Sequence, residues 1–227
     1  MPTSTVEQYI KTIYQQEERC SSDIVHMKQL SEAMDVTPGT ATAMVKHLAD
    51  RKLVTYTPRK GVKLTAGGRE LALTMVRRHR LIETFLENVL GYDWSEVHED
   101  AERLEHAVSE KFIERIEAYL GFPHADPHGD PIPSTEGHIV RRKSIPLDRC
   151  AKGDSIAIAR LRSDNPEFLL MMKEQCLTPG ESFIVTDRNE TAGTITVEHN
   201  HDESAPTTPF TISMGNCGKI MVEPTDE

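Results

Sequence analysis

The chain has 227 residues, 37% of them hydrophobic and 27% charged, with a formal net charge of −10 at pH 7. That length suggests two or three modest domains. The composition excludes global disorder, and no stretch approaches the 18 or more apolar residues of a membrane helix. Met1-Pro2-Thr3-Ser4 leads straight into a helical pattern without a basic segment and apolar run, so no secretory signal is expected. Cys20, Cys150, Cys176 and Cys217 form no CxxC pair. This argues against a disulfide framework or zinc ribbon and suits a reducing cytoplasm. The charge is uneven: residues 1–72 carry a net +2, residues 73–150 a net −5 and residues 151–227 a net −7.

Val6, Tyr9, Ile10, Ile13 and Tyr14 recur at helical spacing and predict a first helix over Val6–Glu18. A second amphipathic stretch, Met27 to Met34, is followed by Thr37-Pro38, a cap and a first-turn proline for a third helix running to about Arg51. Leu53–Thr57 and Val62–Thr65 are β-prone runs around Pro58-Arg59-Lys60-Gly61, a hairpin signal. Helix, short turn, helix and basic hairpin is the order of a winged helix-turn-helix, a candidate DNA-binding domain over residues 1–72. Residues 73–140 read as a helical domain: a long segment through Leu90, a break at Gly91-Tyr92-Asp93, and two further helices before Gly121-Phe122-Pro123. The proline-rich stretch Pro123 to Ile145 reads as a loop or linker. Over residues 150–227, Ser155–Leu161, Glu181–Thr186, Gly193–Val197 and Lys219–Val222 read as short strands of a small β-barrel. The expected fold is therefore mostly α with small β parts.

Chemistry concentrates in the middle third. His98, Glu102, Glu105 and His106, at i, i+4, i+7 and i+8, fall on one stripe of a helix, with Val97, Ala101, Leu104 and Val108 as the apolar stripe beside it. His79 and Glu83 form an i, i+4 pair on another helix. Three carboxylates and three imidazoles on neighbouring helices call for a cation. Donors of this kind without a thiolate suit Mn²⁺ or Fe²⁺. The alternative is an ordinary solvated acidic face. His98 to Glu102 lacks the second His of a zincin HExxH, Glu102 to His106 lacks the first His of HxxEH, and no GxSxG, Walker loop or GxGxxG occurs. A regulatory metal is expected rather than an enzyme.

Arg78-His79-Arg80-Leu81-Ile82-Glu83, Val97-His98 and the run Glu102 to Ser109 resemble the diphtheria toxin repressor family of metal-dependent transcriptional regulators. Supporting matches are Val6 to Tyr14, Leu64-Thr65-Ala66-Gly67-Gly68, and Pro127-His128-Gly129-Asp130-Pro131-Ile132-Pro133. The resemblance spans roughly residues 3 to 135, and beyond residue 150 it rests on the expected likeness to the family's SH3-like third domain. It implies a homodimer whose middle helices pair, a palindromic double-stranded operator, and two sites per subunit for Mn²⁺ or Fe²⁺. His79, Glu83 and His98 match the ligands of one site. Glu102, Glu105 and His106 match those of the other, completed from the first helix by Gln8. Asp164 and Glu167 fall where some members donate two further ligands, with a plain surface turn as the alternative. Glu102 is as in the manganese-responsive branch. Gln8 stands where Met or Asp is usual, and Lys11 where that branch often has Glu. The resemblance further implies that metal links the DNA-binding and dimer domains and so tunes operator affinity.

In a winged helix-turn-helix the second helix of the motif enters the major groove. Thr37, Pro38, Thr40 and Thr42 would then face base edges, with readout through methyl contacts and DNA shape. Lys28, Lys46, Arg59 and Lys60 are the candidate phosphate contacts. The rival readings are a winged-helix regulator of a non-metal signal with a structural His/Glu cluster, a metalloenzyme, and a protein-binding adaptor.

Overall fold

In the computed structural model, α1 (Ser4–Cys20), α2 (Met27–Ala33), α3 (Pro38–Asp50), the hairpin β1 (Val54–Thr57) and β2 (Gly61–Leu64), and the long helix α4 (Ala66–Leu90) follow one another as the sequence pattern requires. The structure describes residues 3–20, 22–140, 143–163, 165–200 and 208–225. It divides into two units, Met1–His79 with Arg103–Ile113 and Pro133–Ile139, and Arg80–Glu102 with Glu114–Ile132 and Val140–Glu227. The chain passes from the first to the second within α4.

The core of the first unit is built from the predicted α1 stripe, with Leu30 of α2, Val45 and Leu48 of α3, Val54, Val62 and Leu64 of the hairpin, and Ala72 and Val76 of α4. Each large side chain buried here contributes about 1.5–3 kcal/mol, which is why these short elements persist. Thr37 caps α3 by accepting a hydrogen bond from the Thr40 N–H at 3.2 Å, with Pro38 in the first turn. The hairpin pairs antiparallel from Val54↔Leu64 to Thr57↔Gly61. Val25 adds a third edge through two 2.9 Å main-chain bonds with Val62. Gly61, at φ 137°, makes that approach possible, because a Cβ there would lie 2.3 Å from the Val25 carbonyl oxygen.

The second unit holds the end of α4, most of α5 (Val97–Leu104) and α6 (Glu110–Tyr119), and the C-terminal β-domain. The β-domain comprises β3 (Ile145–Pro146), β4 (Ser155–Leu161), α7 (Pro166–Glu174), β5 (Ser182–Asn189), β6 (Thr194–His199), β7 (Phe210–Ser213), α8 (Met214–Cys217) and β8 (Ile220–Pro224). Its six strands form one antiparallel sheet in the order β3-β8-β4-β5-β6-β7. Alternate residues turn inward, so Ile156 and Ile158, Phe183 and Val185, Ile195 and Val197, and Ile220 and Val222 share one core, which Trp94 also joins. The expected winged helix-turn-helix, helical middle segment and small β-domain are all present.

Two local expectations are corrected. Leu104, not His106, ends α5, and Ser109 opens the next helix by accepting from the Phe112 N–H at 3.3 Å. Glu105 and His106 therefore lie in the intervening turn, off the helical stripe. Residues 166–174 form a helix rather than a turn, with Asn165 capping it through a 2.8 Å bond from the Phe168 N–H.

Candidate metal centre

Donor side chains gather in each unit. In the first, Glu105 is fully buried although Leu104 beside it is 39% exposed. The expected apolar stripe thus gives way to a carboxylate at the line set by Val97 and Ala101. Glu105 Oε1 accepts from Lys11 Nζ at 2.6 Å, and Oε2 lies 2.6 Å from His79 Nδ1. Lys11, on α1, is itself 0% exposed, with Nζ 3.5 Å from His79 Nδ1. Burial pushes the Glu105 carboxyl up, but the His79 hydrogen bond and the charges of His79 and Lys11 outweigh it, and the net direction is down. His106 joins this group. Its Nδ1 is 2.8 Å from Glu7 Oε2, and its Nε2 is 3.3 Å from Gln8 Oε1 and 3.4 Å from Glu105 Oε1.

In the second unit, His98 Nδ1 lies 3.2 Å from Glu83 Oε1 and its Nε2 3.7 Å from Glu102 Oε1. His79 sits one helical turn before Glu83 on α4. Glu83 also belongs to a cluster that sequence reasoning missed. Ligand atoms of Glu83, Asp126 and His128 all lie within 4.8 Å of one another, and all three residues are buried.

The loop that carries Asp126 and His128 is tightly folded. Asp126 Oδ1 accepts from the His128 and Asp130 N–H groups, both at 2.9 Å. Arg80 reaches the Pro131 carbonyl oxygen at 2.5 Å, Asp130 at 3.2 Å and Asp126 at 3.5 Å. The Leu161 N–H of β4 donates to the His128 carbonyl at 2.9 Å, and Arg160 pairs with Asp130 at 3.0 Å. Gly129 is required, since a Cβ there would lie 2.2 Å from the Ala159 carbonyl oxygen.

Two features fit this cluster to a cation. His128 Nε2 lies 2.9 Å from the Trp94 carbonyl oxygen, which can only accept. Nε2 therefore donates this hydrogen bond, which leaves Nδ1 as the ring nitrogen open to a ligand. Burial raises the Asp126 carboxyl well above its ordinary value, and repulsion from Asp130 and Glu83 adds to the rise. Arg80 does not cancel these effects. A positive ion among Glu83, Asp126 and His128 would.

Asp126 and His128 went unrecognised because their run read as a proline-rich linker. The available signal was a carboxylate and an imidazole two residues apart, at the start of the family-like run Pro127 to Pro133. Glu167 is exposed on the first turn of α7, outside the donor clusters found among the described residues, and Asp164 lies outside the described residues. Thr37, Pro38 and Thr40 are exposed at the start of α3, and Thr42 is half-buried with its hydroxyl bonded to the Pro38 carbonyl at 2.7 Å. Lys28, Lys46, Arg59 and Lys60 are exposed, Lys28 beside Glu32 at 3.8 Å.

Residues 1–62 match the iron-dependent repressor N-terminal DNA-binding domain, and residues 65–134 the iron-dependent repressor metal-binding and dimerisation domain. The chain is similar to the diphtheria toxin repressor of Corynebacterium glutamicum, with 34% identity over 130 residues that cover 57% of this chain and 56% of that protein. It is similar also to the iron-dependent repressor IdeR of Mycobacterium tuberculosis, 35% identical over 57% of this chain and 55% of the relative. The chain thus spans about half the length of these curated relatives. Among solved structures, a manganese-dependent transcriptional repressor in complex with manganese shares 38% identity at a TM-score of 0.88, over 97% of this chain and 100% of that one. The manganese regulator SloR shares 31% at 0.77, over 99% and 100%.

Proposed function

Because the chain belongs to the diphtheria toxin repressor family of metal-dependent transcriptional regulators, we propose that it is a DNA-binding repressor of metal-ion homeostasis, responsive to Mn²⁺ or Fe²⁺ and working as a homodimer on a palindromic operator. The observation that carries the reading is the buried Glu83, Asp126 and His128 cluster, whose carboxylates repel one another. In this reading His98 adds a donor beside Glu83, and Glu102 adds one beside His98. A bound divalent ion supplies the charge that offsets carboxylate repulsion and the directional bonds that fix donor positions. Arg80 and the two N–H groups on Asp126 Oδ1 hold the loop ready. The Trp94 carbonyl holds the His128 ring in the ligating tautomer.

The exposed start of α3 presents Thr37, Pro38 and Thr40 to base edges, while Lys28, Lys46, Arg59 and Lys60 bind phosphates and make affinity salt-dependent. The net +2 of residues 1–72 is too small to hold DNA by charge alone, so local fit must decide binding. Differential metal affinity for the operator-binding arrangement then raises DNA affinity, and DNA raises metal affinity by the same factor. This is regulation rather than catalysis.

The test is anisotropy with a DNA duplex selected by the Mn²⁺-loaded protein from a random pool, titrated anaerobically with Mn²⁺, Fe²⁺, Zn²⁺ or Co²⁺ and then with chelator. Tight binding that chelator abolishes is expected. Binding indifferent to chelator would refute the reading.

A further inference from the structure

We infer that the Lys11 ammonium is a built-in cation that takes one of the places open to a metal around Glu105, so that the cluster holds one ion fewer than it would without this lysine. The inference rests on the metal-dependent reading above. It starts from a contrast between the two donor groups. Around Asp126 the carboxylates repel one another, and Arg80 beside it fails to compensate. Around Glu105 the carboxylate is already matched.

Lys11 is 0% exposed, and an ammonium removed from water requires compensation by anionic and hydrogen-bonding partners. Nζ is 2.6 Å from Glu105 Oε1 and 3.5 Å from His79 Nδ1. It therefore sits between a carboxylate oxygen and an imidazole nitrogen, the two donor types a divalent transition ion would use. An ion bridging those atoms would occupy the volume of Nζ and face its charge at contact distance. Glu105 Oε2 is engaged at 2.6 Å by His79, so that oxygen offers no easy alternative. His106, with Gln8 and Glu7, remains beside Glu105 Oε1 as a place for a metal.

A fixed ammonium does not depend on metal concentration. Operator affinity should accordingly rise with metal by one power less per chain than in a chain where that place must be filled from solution.

The test uses the full chain, saturated with Mn²⁺, with bound ions counted by elemental analysis and calorimetry. Lys11→Gln is expected to bind one more ion per chain than the wild type, and Lys11→Arg the same number as the wild type. On the wild type, acylation of amines by acetic anhydride, read by mass spectrometry, should leave Lys11 protected with and without Mn²⁺. Equal ion counts in wild type and Lys11→Gln, or a Lys11 that becomes reactive on metal addition, would overturn the inference. Should Lys11→Gln fail to fold, the acylation result decides. A wild type that binds no Mn²⁺ at all would instead sink the metal-dependent reading, and this inference with it.

Discussion

Asp126→Asn should reverse sign between metal-free and metal-loaded protein. Its amide oxygen can still accept from the His128 and Asp130 N–H groups, so the loop keeps its hydrogen bonds. The negative charge is lost. Burial, then repulsion from Asp130 and Glu83, raise the Asp126 carboxyl in the folded state. The ionised group therefore lowers stability above its folded pKa, and that penalty is relieved as pH falls toward the unfolded value of 3.8. In chelator at pH 7 the variant should be more stable than the wild type. With metal the order reverses, because an amide oxygen is the weaker donor, weakening affinity by about 100-fold. At a concentration 100 times the wild-type Kd, metal stabilises the wild type by about 2.7 kcal/mol and the variant by about 0.4 kcal/mol. The metal-induced rise in Tm should thus shrink by about 5–9 °C for a chain of this size. Differential scanning fluorimetry with and without Mn²⁺ reads both arms. A variant that loses stability in chelator, or keeps the full metal-induced rise, would refute the assignment of Asp126 as a ligand.

Glu105→Ala strands a buried Lys11 ammonium and should destabilise metal-free protein by about 3–5 kcal/mol, whereas Lys11→Met/Glu105→Leu together should recover most of it in chemical denaturation. Asp93 is held down to about 2, first by its 2.5 Å bond from Lys173 and then by Ser95. Its contribution is full above the unfolded pKa of 3.8 and lost as pH falls through about 2. Since both side chains are partly exposed, Asp93→Asn should cost no more than about 1 kcal/mol at pH 7 and flatten the acid limb of the stability curve. Burial pushes the Cys150 and Cys217 thiols up to about 11, so both should resist Ellman's reagent at pH 8 until urea unfolds the β-domain, while exposed Cys176 reacts at once. Rapid labelling of all of these cysteines in the native protein would contradict the buried positions.

What the sequence made legible was local. The α1 stripe, the Thr37-Pro38 cap and the hairpin around Arg59 each depend on residues a few positions apart, and each formed as the pattern requires. Asn165-Pro166 carried the same kind of signal for α7 and went unread. The centre was harder because its partners are distant in the chain. Lys11 meets Glu105 across 94 positions, and Glu83 meets Asp126 and His128 only after α5 and α6 have intervened. Periodicity placed Glu105 and His106 on a helix, but α5 ends at Leu104 and Ser109 caps α6, so both residues fall in the turn between. The individual donors could be named from the family pattern, but which charge offsets which could not.

The seating of the Asp126 loop against β4 gives the β-domain a constraint of its own. With Gly129 pressed on the Ala159 carbonyl and the His128 carbonyl bonded to Leu161, the positions from 126 to 130 and from 159 to 161 cannot drift independently. A single inserted residue in β4 would reverse which side chains face the core and move the backbone that seats His128. Insertions between β6 and β7 would leave that seat untouched. Length variation among relatives should therefore collect in the later hairpins of this domain, while β4 keeps its length even in chains whose β-domain has diverged in every other respect.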